Sequence, residues 1–219
     1  MRKTIKATDG TTMRTVMIRN YEASDFGKLI DLQAECFPPP YPSELWWNEA
    51  QLTEHVTRFP DGAICAEIDG RIVGSMTALR IRLEEYERHD WSTISDNGYI
   101  RTHQPDGETL YVIDLCVSPA FRRFGLGKWL MQSMYETVVH LGCDRLLGGG
   151  RMPGYGALSD RMTAEEYLEQ VVQGKRKDPV ITFLLRCGRM PAGVVPNYLE
   201  DEQSADYAAL MEWRNPFKR

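Results

Sequence analysis

Asp114 is the only carboxylate in an apolar run, Leu110-Tyr111-Val112-Ile113-Asp114-Leu115-Cys116-Val117. A charge in such surroundings is costly to bury unless it is paired or functional. Its chemistry would be that of a general base. An ion pair with an arginine is the structural alternative, and Glu108 and Tyr111 are rival proton acceptors. Soon after comes Arg122-Arg123-Phe124-Gly125-Leu126-Gly127-Lys128. Two arginines offer charge-assisted donors, and the glycines leave the backbone open to a large anion. Cys116 could act as a nucleophile, but it has apolar neighbours and no histidine close in sequence, which argues against a covalent intermediate. His55, His89, His103 and His140 show no metal-ligand spacing, and only His103 is kept as an active-site candidate.

These residues need a strand, a turn and a helix to place them. Thr109 to Val117 is β-branched and aromatic, as expected of a strand covered on both faces. Ser118-Pro119 ends it, because proline cannot donate to a ladder. Leu126, Leu130, Met134, Thr137, Val138 and Leu141 repeat at three- and four-residue spacing, so a helix runs to His140. A buried strand thus feeds a basic, glycine-bearing turn that opens a helix. The free amides and dipole of such a start favour a phosphate.

Arg122-x-x-Gly125-x-Gly127, following Leu115-Cys116-Val117-Ser118-Pro119, resembles the acyl-CoA-binding motif of the GNAT N-acetyltransferase superfamily. The resemblance implies a single α/β domain with a mixed, mostly antiparallel central sheet, splayed central strands and flanking helices. It implies that Arg122, Arg123, Phe124, Gly125, Leu126, Gly127 and Lys128 hold the CoA pyrophosphate. Leu115, Cys116 and Val117 would offer backbone groups to the pantetheine arm and the thioester. Further stretches, Gly149-Gly150-Arg151-Met152-Pro153-Gly154-Tyr155, Asp178-Pro179-Val180 and Asn197-Tyr198-Leu199-x-Asp201, resemble the acyltransferase domains fused to carbon–nitrogen hydrolases.

Length and composition agree with a soluble globular protein. The 219 residues suffice for a full core, and 42% hydrophobic with 26% charged residues is ordinary for a globular chain. A net charge of −5 gives no basic footprint for nucleic acid, and no apolar stretch is long enough for a membrane span. Five scattered cysteines without a CxxC pair read as reduced thiols, and no metal site is expected. With no apolar signal core, the expected location is the cytoplasm.

Read in order, residues 1–13 are expected as a flexible tail and 14–219 as the domain. A strand covers Thr15 to Arg19. Ser24-Asp25 caps a helix to Cys36, and Ser43 caps another ending at Pro60. Strands Gly62–Ile68 and Arg71–Arg80 meet at Asp69-Gly70. Insertions relative to a minimal acetyltransferase fall near 83–108 and 151–177; the first covers an acceptor site or is decorative. Asp144 to Leu147 is a strand entering a glycine-rich turn, Gly148 to Gly156, that lines an acyl channel or simply packs. Thr163 opens a capping box, Asp178-Pro179 starts a helix to Cys187, and Ser204 caps a last helix to Trp213.

The resemblance also implies the reaction. Acetyl-CoA would be the acyl donor, acting as substrate, and a primary amine on a small molecule or protein would attack it directly. Asp114 is the candidate base. The tyrosine that usually protonates the leaving thiolate is replaced by Leu184, which leaves Tyr198 as the candidate acid, with Tyr155 or water as alternatives. A CoA-binding regulatory module without turnover is the competing reading, and a homodimer is compatible with either.

Overall fold

Exposed and more covered residues alternate over Arg2–Thr8, strand β1, and Val16 and Ile18 are buried two residues apart within Met13–Asn20, strand β2. In the computed structural model, which describes residues 1–39, 43–86 and 90–218, these form a hairpin with Arg2 opposite Arg19 and Thr8 opposite Met13. The expected flexible tail over 1–13 is therefore mostly an edge strand. The cause is local: Asp9 Oδ1 accepts the amides of Thr11 and Thr12, Gly10 takes φ +94°, and Ala7 is buried. Lysines on such an edge discourage further pairing.

Helix α1, Phe26–Cys36, follows a short 3₁₀ turn in which Glu22 and Asp25 form the capping box. Helix α2, Glu49–Arg58, is capped by Asn48 and Gln51, not by Ser43, which belongs to a separate 3₁₀ turn. Strands β3, Ala63–Ile68, and β4, Arg71–Ile81, meet at Asp69 and Gly70, both at positive φ as a primed hairpin turn requires. Within the first insertion lies helix α3, Trp91–Ser95, capped by Asp90. Strand β5, Thr109–Val117, and helix α4, Leu126–His140, fall where the sequence predicts.

The second half departs from expectation. Strand β6, Arg145–Arg151, continues through Gly148, Gly149 and Gly150, so these three glycines are strand, not turn. Helix α5, Ala164–Val172, has the expected Thr163–Glu166 capping box, and helix α6, Ile181–Arg186, starts at Asp178, whose Oδ1 accepts the amides of Val180 and Ile181. Strand β7, Met190–Val195, was not anticipated. Strand β8, Ala208–Arg214, replaces the helix expected from Ser204. Its Ala208-Ala209-Leu210-Met211 has helix propensity, but pairing with both β6 and β7 overrides it.

The eight strands form one sheet in the order β1-β2-β3-β4-β5-β6-β8-β7. Every pairing is antiparallel except β5 with β6. That parallel ladder pairs Thr109 with Arg145, Leu110 with Leu146 and Tyr111 with Leu147, and then stops. Beyond Tyr111 the two central strands part. No helix among the described residues is long and apolar enough to cross a membrane.

Candidate active site

Two irregularities of β5 shape the site. One is the parting from β6. The other is a bulge: Thr77 pairs with Asp114 but Ala78 with Val112, so Ile113 is an extra residue. Leu79 pairs with Tyr111, and Thr77 and Leu79 share a face of β4. Asp114 and Tyr111, three residues apart, therefore face the same side of the sheet, where simple alternation would put them on opposite sides.

On that face Asp114 meets α1. Gln33 Nε2 donates to Asp114 Oδ2 at 3.2 Å and lies 3.7 Å from Cys116 Sγ. No arginine pairs with Asp114 among the described residues, so the ion-pair alternative is not what the structure shows. The carboxylate is half-buried. Loss of water pushes its pKa up to about 7, against the smaller stabilising pull of the Gln33 and Cys116 hydrogen bonds. That value suits a base working near neutrality. Cys116 Sγ is 3.3 Å from Ser75 Oγ, and contact with Cys36 together with burial holds its thiol far above the usual range. It is thus poorly placed to be a thiolate nucleophile.

The basic turn lies at the far end of β5. Pro119–Phe124 is a 3₁₀ stretch, and Gly125, at φ +69°, turns the chain into α4. A Cβ at Gly125 would touch nothing, so the constraint there is backbone conformation and an open approach. Gly127 differs: a Cβ would come within 3.0 Å of the Phe183 ring, so its bareness serves packing against α6. Arg122, Arg123 and Lys128 are exposed. Phe124 and Leu126 are buried, and could serve a ligand only through their amides. Leu115 and Val117 are half-buried along the stretch of β5 that is paired with β4 but not with β6.

Across the gap, Tyr198 lies against Gly149 of β6, where a Cβ would be 2.2 Å from Tyr198 Cζ. Tyr198 and Tyr111 are buried with their hydroxyls facing each other, and burial raises both phenol pKa values, keeping them protonated. Among the described residues none is placed to hydrogen-bond Tyr111 Oη. Arg189 is buried below, donating through Nη2 to the carbonyls of Met211 and Gly148, with its Nε unpaired among the described residues.

The other candidates are engaged elsewhere. Glu108 accepts the Leu83 amide at the opposite end of β5. His103 Nδ1 accepts the Arg80 amide and the ring stacks on Phe59; burial lowers its pKa to about 4, so it is a neutral structural group. Tyr155 packs against Tyr167 and Tyr207 in the second insertion, and His89 lies outside the described residues. Sequence reasoning missed Gln33, although it sits on the apolar stripe Phe26, Leu29, Leu32 and Cys36 of α1, where a polar residue is out of place. It also missed Trp91, whose indole Nε1 donates to the bulge carbonyl of Ile113 at 2.9 Å.

Three comparisons bear on the site. The model of the acetyltransferase (GNAT) family matches residues 26–152. An uncharacterized N-acetyltransferase, YkwB of Bacillus subtilis, is 52% identical over 95% of this chain and 93% of its own length. A probable hydrolase of the same organism, YhcX, is 41% identical over 92% of this chain, which spans only 39% of that protein. Among solved structures, the GNAT-like decarboxylase GphF in complex with isobutyryl-CoA superposes with TM-score 0.72 at 26% identity, over 90% of this chain and 98% of that one. The loading domain of CurA from Lyngbya majuscula shares the fold at TM-score 0.79 and 19% identity, over 93% and 99% of the two chains. With a family model over more than half its length and a full-length relative at 52% identity, this chain belongs to the GNAT family of acetyltransferases.

Proposed function

We propose that the chain transfers an acyl group, acetyl in the first instance, from its CoA thioester to a primary amine by direct attack. The observation that carries this reading is the continuity of one path. The open amides at Gly125 and Leu126 lead along Val117, Cys116 and Leu115 to the gap between β5 and β6, and Asp114 and Tyr198 stand beside that gap. The pyrophosphate would lie on the turn amides with Arg122, Arg123 and Lys128 around it. Asp114 would take the proton of the ammonium. The free amine then attacks the thioester carbonyl, whose oxyanion is met by β5 amides. Collapse expels the thiolate, and Tyr198 gives it a proton. The second proton of the former ammonium passes from the amide nitrogen back to Tyr198, and Asp114 releases its own proton to solvent.

A second reading is supported by one observation, the buried Arg189 against Gly148, whose Nε is unpaired among the described residues. Together with the similarity to a GNAT-like decarboxylase, it favours loss of CO₂ from a carboxyacyl-CoA. One experiment separates the readings. The purified protein is given acetyl-CoA with a panel of amines, and separately malonyl-CoA alone, while free thiol, acylated amine and CO₂ are followed. Amine-dependent thiol release supports transfer. CO₂ without thiol supports decarboxylation. CoA binding by calorimetry with neither product supports a regulatory module.

A further inference from the structure

Within the first insertion, Trp91 hydrogen-bonds to the site twice. The indole Nε1–H donates to the carbonyl of Ile113, the extra residue of the β5 bulge, at 2.9 Å. The backbone amide of Trp91 donates to the carbonyl of Tyr198, also at 2.9 Å. Ile113 adjoins Asp114, so one residue is bonded to the walls on both sides of the gap. The ring itself is held firmly. It stacks on Trp47 with centroids 6.3 Å apart, and both rings close around Gly98. Gly98 in turn is tied to α2 by the bond between its carbonyl and His55 Nε2 at 2.6 Å.

A bulge carbonyl has no ladder partner, and leaving it buried without a donor is unfavourable. Without the indole the local register would be free to relax, and relaxation would turn Asp114 away from the face it shares with Tyr111. We infer that Trp91 is a positioning residue that locks the β5 bulge and so fixes Asp114 relative to Tyr198, which makes the insertion around 83–108 a working part of the site. The inference builds on the proposed role of Asp114 but can be tested without turnover.

The test is Trp91→Phe, which keeps an aromatic ring against Trp47 and removes the donor. Asp114 is titrated by carboxyl ¹³C NMR in both proteins. The groups facing it are Gln33 and Cys36 from α1, Ser75 and Thr77 from β4, Tyr21, and Cys116 of its own strand. None of these is altered by the substitution. The expected result is a lower Asp114 midpoint as the carboxylate regains water. Turnover should fall roughly tenfold, with the Kd for CoA within about twofold of wild type. A folded variant with the wild-type Asp114 titration overturns the inference, whatever its turnover. Should the variant not fold, hydrogen exchange at the Trp91 indole of the wild-type protein decides. Protection comparable to core amides is expected, and exchange at the rate of a surface indole overturns the inference.

Discussion

Replacing Asp114 by asparagine separates a working base from a structural charge. Between the ordinary aspartate pKa and about 7, the folded protein binds a proton at Asp114 that the unfolded chain has lost. Stability attributable to this residue therefore falls as pH rises through that window and is flat above it. Three units would amount to about 4 kcal/mol as a ceiling, at 1.36 kcal/mol per unit. The carboxylate is half-buried and partly screened, so about 1–2 kcal/mol is the realistic figure. Asparagine carries no charge and keeps an acceptor for Gln33. The melting temperature of Asp114→Asn relative to wild type should therefore rise by roughly 3–6 °C between pH 4.5 and pH 8. Amine-dependent turnover at pH 8 should drop about 10²- to 10⁴-fold, and the wild-type rise in turnover up to about pH 7 should disappear. Differential scanning fluorimetry at the two pH values and steady-state thiol release measure both. A variant that loses relative stability as pH rises would reveal a counter-cation and refute the electrostatic argument. Near-wild-type turnover in a stable variant would refute the base assignment.

Gly125→Glu puts a bulky anion, at a strained φ, on the turn that should hold the pyrophosphate; calorimetry should show CoA binding weakened tenfold or more, roughly 1.4 kcal/mol. Cys116→Ala should keep most of the turnover, and rapid-quench mass spectrometry should find no acyl-enzyme; a trapped thioester would overturn direct attack. Gly149→Ala cannot be relieved by the backbone, which is paired with Leu210 on β8, so the Tyr198 ring must move. Turnover should fall by roughly tenfold or more while CoA affinity, measured alongside, holds.

Much of the fold was legible because its central part is governed by local signals. The apolar run of β5, the glycine turn and the heptad-like stripe of α4 each state their structure within a few residues. The C-terminal part was less legible because long-range pairing decides it. Gly148-Gly149-Gly150 reads as a turn by composition, yet each glycine clears space for a neighbour: Val112 and Arg189 at the first, Tyr198 at the second, Leu184 and Ile181 at the third. The stretches behind the narrower resemblance, scattered over some fifty residues, prove to be one unit. Arg151 bonds Asp201 through two nitrogens, Gly154 bonds Asp178, and Gly149 receives Tyr198. The shared face of Asp114 and Tyr111 was hidden for a different reason: a period of two predicts the opposite, and only the bulge corrects it.

The bulge and the glycines together bear on where a proton donor can stand. Gly149 and Gly150 are consecutive in β6 and so face opposite sides of the sheet. Leu184, in the position where the family resemblance would place a tyrosine, fills the space over Gly150 and would lie 2.7 Å from a Cβ there. That position is committed to packing: a larger ring could enter only by displacing β6, which β8 holds along its whole length. Tyr198 occupies the other side, over Gly149, with Tyr111 beside it and Asp114 on the same face of the adjoining strand. On the proposed reading, the acid has moved through the sheet to the side that already carries the base. Trp91, bonded to both walls on that side, is then what keeps acid and base in register.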